Sequence, residues 1–296
     1  MALVATLVAN PSNPVLSPAL AEKAHDSVSA AGLYWLADGI ACDIALRDGS
    51  NAAEAEAAIR AVIGSEPVDV VVQEAETRRK KLLIADMDST MIGQECIDEL
   101  AAEVGLKDEV AAITARAMNG EIAFEPALRE RVALLKGLPI SVVDDVIAKR
   151  ITLTPGGPEL IATMKAKGFY TALVSGGFTV FTSRIAATLG FDENRANLLL
   201  EENGTLSGFV AEPILGKQAK VDALNDIAEK LGISPEEAMA VGDGANDLGM
   251  IHLAGSGVAL HAKPAVAAEA KMRINHSDLT ALLYIQGYRK TDFVTP

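Results

Sequence analysis

The stretch Lys81-Leu-Leu-Ile-Ala-Asp-Met-Asp-Ser-Thr90 constrains this chain more than any other. Leu82 to Ala85 is a short apolar run, entered from the charged cluster Arg78-Arg79-Lys80-Lys81 and left through turn-forming residues. A run of that length and setting reads as a buried parallel strand. Asp86 and Asp88 stand at its C-terminal end, the end at which open α/β sheets bind ligands. Residues two apart on extended backbone point the same way, so both carboxylates can address one site. Carboxylates that close repel each other, and one pKa rises unless a cation neutralises them. A hard ion that takes oxygen ligands and keeps several waters meets that need, which makes Mg²⁺ the expected cofactor. Taken alone, the same residues also suit an acidic turn whose Ser89-Thr90 pair caps the next helix.

The chain has 296 residues, half of them hydrophobic, enough for one large domain or two smaller ones. Its formal net charge of −14 argues against nucleic acid or an anionic membrane as a partner. Cys42 and Cys96 suit a reducing compartment without a disulfide framework. The N-terminal Met-Ala-Leu-Val-Ala-Thr-Leu-Val-Ala-Asn lacks the basic start of a signal peptide. No segment approaches the ~20 apolar residues of a membrane span. The expectation is a cytoplasmic protein.

Residues 1–75 read as a small separate unit. Leu3 to Val8, Leu33 to Leu36, Ile40 to Leu46 and Val68 to Val72 read as strands. Leu20 to Ala31, stopped by Gly32, and Ala52 to Ile63, stopped by Gly64, read as helices. The order βαββαβ is the ferredoxin-like split motif of an α+β domain. The unit resembles the small-molecule-binding regulatory domains called ACT domains. That resemblance implies an amino-acid site at a glycine-containing turn after the first strand. This chain has Pro11-Ser12-Asn13-Pro14 there, so a pairing or folding role is favoured. The charged segment Glu74 to Lys81 reads as a linker, and residues 76–296 as a second domain able to stand alone.

From Gly93 to Lys149 the pattern is helical. Four apolar stripes occur, Ile97-Leu100-Ala101-Val104, Val110-Ile113-Ala117, Leu128-Val132-Leu135 and Val142-Val143-Val146-Ile147. Gly105, Gly120 and Gly137-Leu138-Pro139 separate them. Short helices inserted this soon after Asp88 predict a cap, about residues 93–150, over the end of the first strand. After Thr154-Pro155-Gly156-Gly157, helix and strand alternate to the end. Tyr170 to Val174, Ala238 to Val241, Gly257 to Leu260 and Met272 to Ile274 read as strands. Asn203-Gly204 marks a hairpin between Asn197 to Leu200 and Leu206 to Val210. The fold class is α/β, a doubly wound parallel sheet.

Four features fall at or just beyond predicted strand ends: Asp86 with Asp88; Ser175-Gly176-Gly177; Lys217 and Lys220; and Gly242-Asp243-Gly244-Ala245-Asn246-Asp247. Ser175 and the Gly176 and Gly177 amides, at a helix start, offer donors to a phosphoryl oxygen. A lysine offers charge, which the acidic chain as a whole does not. Asp243 or Asp247 can join Asp86 and the Asp88 carbonyl on a Mg²⁺. His25, His252, His261 and His276 have no metal-binding spacing, and neither a GxGxxG nor a Walker A motif is present.

In that order these residues resemble the four motifs of the haloacid dehalogenase superfamily, over residues 82 to about 280. Within it, the segments Asp86–Glu95, Phe124–Val132 and Val174–Phe178 resemble the phosphoserine phosphatases, which carry a four-helix cap at this position. The resemblance implies hydrolysis of phosphoserine, the last step of serine biosynthesis, through an aspartyl phosphate. It makes Asp86 the nucleophile and Asp88 the general acid and base. It gives Mg²⁺ to Asp86, the Asp88 carbonyl and Asp243. It gives the phosphoryl oxygens to Ser175, Gly176, Gly177 and Lys220, with Asn246 and Asp247 in support and Lys217 as the rival lysine. In the cap it assigns Arg131 to the substrate carboxylate, Glu95 to its ammonium, and Met118 and Phe124 to an apolar lid. Another small phosphomonoester, or transfer of the phosphoryl group instead of hydrolysis, is the alternative. Homodimerisation stays open.

Overall fold

The computed structural model describes residues 2–118 and 121–296, Met118 by its backbone alone. The central sheet follows from the apolar runs found in the sequence. On β5 (Leu82–Ala85), Leu82 and Ile84 pack into one apolar cluster and Leu83 and Ala85 into another, so the strand is covered on both faces. That double burial is why its residues are apolar without alternation.

The chain begins with β1 (Leu3–Ala9), α1 (Pro18–Asp26), β2 (Ala30–Ala37), β3 (Ala41–Leu46), α2 (Ala52–Ile63) and β4 (Val68–Glu74). These strands form an antiparallel sheet in the order β2-β3-β1-β4, the ferredoxin-like arrangement. The first helix is shorter than the alanine-rich sequence suggests. It stops at Asp26, where Ser27 caps it and its hydroxyl donates to the Ala24 carbonyl. Ala30 pairs with Leu46 instead of extending the helix. Sheet pairing outweighs the modest helical preference of alanine here.

After β5 come the four cap helices, α3 (Cys96–Glu103), α4 (Lys107–Met118), α5 (Phe124–Leu134) and α6 (Val142–Lys149). They are followed by α7 (Gly157–Ala166), β6 (Tyr170–Phe178), α8 (Thr179–Leu189), β7 (Glu193–Asn197), β8 (Leu199–Glu202) and β9 (Thr205–Val210). The chain continues through α9 (Lys217–Leu231), β10 (Ala238–Gly242), α10 (Leu248–Leu253), β11 (Ser256–Leu260), α11 (Pro264–Glu269), β12 (Met272–Ile274) and α12 (Ala281–Ile285). Six parallel strands lie in the order β12-β11-β10-β5-β6-β7. From β5 the chain winds outward through β6 and β7, then returns to the other side of β5 for β10. The loops after β5, β6 and β10 thus meet at the switch point, where open sheets bind ligands. Among the described residues no helix is long and apolar enough to cross a membrane.

Two further details differ from the sequence reading. The hairpin begins at Leu199, while Asn197 ends β7, an edge strand of the main sheet. Glu-Asn-Arg-Ala-Asn has no apolar alternation, so its pairing with β6 is visible only in three dimensions. Residues 74–81 are also not a loose linker. Arg78 reaches the buried Asp43 at 2.7 Å, and Lys80 is buried with its Nζ donating to the Glu236 carbonyl at 2.8 Å.

Candidate active site

Asp86 leaves β5 in extended conformation, and its Oδ1 accepts the Met87 amide at 2.7 Å. The chain then turns sharply: Asp88 has φ −65° and ψ 135°, and Ser89 has φ 54° and ψ 8°. These are type II turn angles, whose second central position ordinarily takes glycine. A serine held there is a strained residue beside reactive groups. Its hydroxyl donates to Glu95 Oε1 at 2.7 Å. The turn aims Asp88 away from Asp86's immediate partners. Asp88 Oδ1 accepts the Cys96 amide at 2.9 Å, and Oδ2 accepts from Ser175 Oγ at 3.1 Å.

Ser175 is buried where β6 loosens its pairing with β7, and it accepts the Gly177 amide at 2.8 Å. Glycine is required at 177 by close approach: a Cβ there would stand 2.8 Å from Asp88 Oδ2 and 3.0 Å from Ser175 Oγ. Gly176 and Gly177 continue β6 up to Phe178, and α8 begins only at Thr179. Their amides therefore belong to a strand end and not to a helix start.

Lys220, one turn into α9, is buried with its Nζ 2.7 Å from Asp86 Oδ1 and 2.5 Å from Asp247 Oδ1. Lys217, at the start of the same helix, is exposed and lines a groove beside Phe124. Asp247 also accepts the Gly244 amide at 2.9 Å, and its carboxylate lies directly against Gly242. Asp243 accepts from Thr90 Oγ1 at 3.3 Å. Asn246 is half-buried, its amide oxygen folded over Gly244. Asp86, Asp243 and Asp247 bring carboxylate oxygens within 4.8 Å of one another. This trio differs from the expected set in holding Asp247, whose oxygens are taken by Lys220 and Gly244. The Asp88 carboxylate is committed to Cys96 and Ser175.

The electrostatics follow from burial. Burial first, then Asp247, raise the Asp86 carboxyl well above its ordinary value, against the pull of Lys220. Burial also raises Asp88 and Asp243, the latter helped by Asp247. Lys220 moves the other way from an ordinary buried lysine. Burial alone would lower it, but Asp86 and Asp247 override that and hold the ammonium above its usual range. Four carboxylates so placed, with Lys220 among them, form an oxygen-rich, electron-rich pocket. That donor set suits a hard divalent cation.

The cap closes over this floor. Phe124, at the start of α5, lies 3.5 Å from the position of a Cβ on Gly176 and 3.4 Å from that on Gly216. Arg131 is half-buried and donates to Thr114 Oγ1 and the Ala127 carbonyl, each at 3.3 Å. Burial lowers its pKa, while Asp98 and Glu95 pull it back up. The surrounding protein, first, and Asp88, second, push Glu95 up to about 7, although its side chain still reaches water. Met118 ends α4, but its side chain lies outside the described residues. Sequence reasoning gave no role to Ser89 and Thr90 beyond capping and none to Cys96. Each acts through one bond to a site carboxylate, for which composition and spacing offer no signal.

The chain matches the family model for haloacid dehalogenase-like hydrolases over residues 83–252. It is 45% identical over 242 residues to the phosphoserine phosphatase of Archaeoglobus fulgidus, covering 81% of this chain and 69% of that protein. A haloacid dehalogenase-family hydrolase from Salmonella enterica serovar Typhi superposes with a TM-score of 0.86 at 29% identity, over 97% of this chain and 98% of that one. Two phosphoserine phosphatase structures, one substrate-bound and one a phospho-aspartyl intermediate analogue, each share 44% identity and a TM-score of 0.65. Each spans 70% of this chain and 98% of its own.

Proposed function

The chain belongs to the haloacid dehalogenase-like hydrolases, and from that premise we propose that it hydrolyses O-phosphoserine to serine and phosphate. One observation carries the reading: buried Asp86 and half-buried Asp88 lie beneath a cap bearing Arg131 and Glu95, groups of the two signs that an amino-acid substrate needs. The relatives named phosphoserine phosphatase support the same substrate.

Lys220 and the Met87 amide both hold Asp86 Oδ1, which leaves Oδ2 to attack phosphorus. The bond from phosphorus to the serine oxygen breaks, and Asp88 gives its proton to the departing alkoxide. A raised pKa, from burial, suits that acid role. Asp88 then takes a proton from the water that attacks the aspartyl phosphate, releasing phosphate and restoring Asp86. Ser175, the Gly176 and Gly177 amides and Lys220 hold the phosphoryl oxygens as charge builds on them. Asp247 keeps Lys220 in place, and Asn246 supports the loop. Asp86, Asp243 and the Asp88 carbonyl would hold Mg²⁺, which neutralises phosphoryl charge when bound. Arg131 takes the substrate carboxylate and Glu95 its ammonium, with Phe124 and Met118 excluding water. The product is free serine, as in the last step of its biosynthesis.

Phosphate release from phosphoserine is the test, with Mg²⁺ and with the metal chelated. The expected outcome is multiple turnover that stops on chelation. Asp86→Asn should give folded protein with no turnover above background, because an amide is not a nucleophile. Near-normal activity of that variant would remove the covalent route.

A further inference from the structure

We propose that Asn197 is a positioning residue of this enzyme, tying the phosphoryl-holding strand end to the helix that carries Lys220. It rests on the reading of Ser175, Gly177 and Lys220 as phosphoryl-holding groups.

The need for such a residue comes from the sheet. β6 and β7 pair regularly through Val174 and Arg195, and then again at Phe178 and Asn197. Two steps along β7 thus answer four along β6. Ser175, Gly176 and Gly177 arch out of the ladder in the gap, which is what frees Ser175 to face Asp88. An arch that leaves the ladder loses backbone partners, and buried carbonyls without partners are costly.

Asn197 supplies one from its side chain. Its Nδ2 donates to the Gly176 carbonyl at 2.9 Å. The same Nδ2 donates to the Leu215 carbonyl at 3.1 Å, and its Oδ1 accepts the Leu215 amide at 2.7 Å. The side chain is buried. One primary amide therefore binds both polar groups of Leu215 and the carbonyl between Ser175 and Gly177. Leu215 stands two residues before the start of α9 and five before Lys220. Both halves of the phosphoryl cradle hang from this amide. Asparagine suits the place because it joins two donors to one acceptor in a short, planar group. Aspartate would keep only the acceptor, and serine would have one donor to share between two carbonyls.

The chemical consequence is on the reaction step and not on recognition of serine by the cap. A cradle that drifts by about 1 Å loses transition-state contacts, with losses of the order of 100-fold. Asn197→Ala and Asn197→Ser are compared with Leu199→Ala, which truncates a buried side chain of the neighbouring β8 without touching the cradle. Each is assayed on phosphoserine and on an aryl phosphate, for inhibition by orthovanadate, and for its melting temperature. Expected for both Asn197 variants are kcat values lower by about 10- to 100-fold on both substrates. KM should change little, and orthovanadate should bind more weakly by a similar factor. Leu199→Ala should melt earlier yet keep its kcat. Asn197 variants that melt earlier with kcat within twofold of wild type would overturn the proposal. So would an equal kcat loss in Leu199→Ala, or failure of both Asn197 variants to fold. Absence of wild-type turnover on either substrate would instead remove the phosphatase reading itself, before any variant is made, and the proposal with it.

Discussion

Lys217 and Lys220 lie three positions apart at the head of one helix, and so share a face. The sequence makes both candidates for the same task. Depth separates them: Lys220 reaches the floor between Asp86 and Asp247, and Lys217 stays at the rim. Arg131 poses the opposite problem, since its type is clear but its task depends on what enters the cap. If it binds the substrate carboxylate, Arg131→Ala should lower kcat/KM for phosphoserine by ~2–5 kcal/mol, the cost of losing one partner of a buried charge pair. An aryl phosphate without that carboxylate should be nearly unaffected. Because the readout is a ratio of kcat/KM values, losses common to both substrates cancel. A parallel fall would assign Arg131 to the phosphoryl site or the fold.

At the scale of elements, the cap joins the core through two short crossings that pair with each other. Ile92 bridges Leu153 in antiparallel fashion, and the Gly93 amide donates to the Thr152 carbonyl at 3.0 Å. Gln94 fastens them: its Oε1 accepts the Thr152 amide and its Nε2 donates to Thr152 Oγ1, both at 2.9 Å. Crossings paired in this way hold the cap on the core at the residue just before Glu95. Gln94→Ala removes side-chain bonds worth about 0.5–1.5 kcal/mol each. The expected result is a several-fold rise in KM for phosphoserine, with turnover of an aryl phosphate and the melting temperature little changed. Steady-state kinetics and a thermal melt decide it, and an unchanged KM would show that the cap holds its place without this clasp. The existence of four cap helices was legible in the stripes of apolar residues. The clasp was not, because Gln94 and Thr152 are far apart in sequence and each is an ordinary polar surface residue.

At the scale of the whole molecule, the antiparallel unit and the phosphatase core share an interior. Val8, Leu36, Ala37, Ala41 and Val71 pack into the same apolar cluster as Leu282, Leu283 and Ile285. Asp69, buried on β4, accepts the amides of Asn275, His276 and Ser277 at 2.7, 3.1 and 2.9 Å. Gln73 Nε2 donates to the Ile285 carbonyl at 2.6 Å, and Ser277 Oγ to the Ala9 carbonyl at 3.2 Å. These contacts form a seam between residues 1–75 and residues 76–296. Asp69→Ala would leave three backbone donors without their acceptor, the one on Ser277 buried, and should lower unfolding stability by about 1–3 kcal/mol. Denaturant unfolding followed by intrinsic fluorescence and by activity measures it. Coincident transitions, both shifted, are expected; a loss confined to one probe would show two units that melt apart.

The sequence by itself determined the order of the strands and helices other than β7, the cap's position and which carboxylates gather at the switch point. Those features are written in local terms: apolar runs, helical stripes, turn residues and strand ends. Tertiary structure alone decided which lysine meets Asp86, that Ser175 turns toward Asp88, that β7 is a strand, and that Asp69 clamps a segment some two hundred residues away. Each is a polar contact between residues remote in sequence. Such contacts leave no periodic mark on the chain, because they depend on where the whole backbone brings two groups and not on what surrounds either one locally.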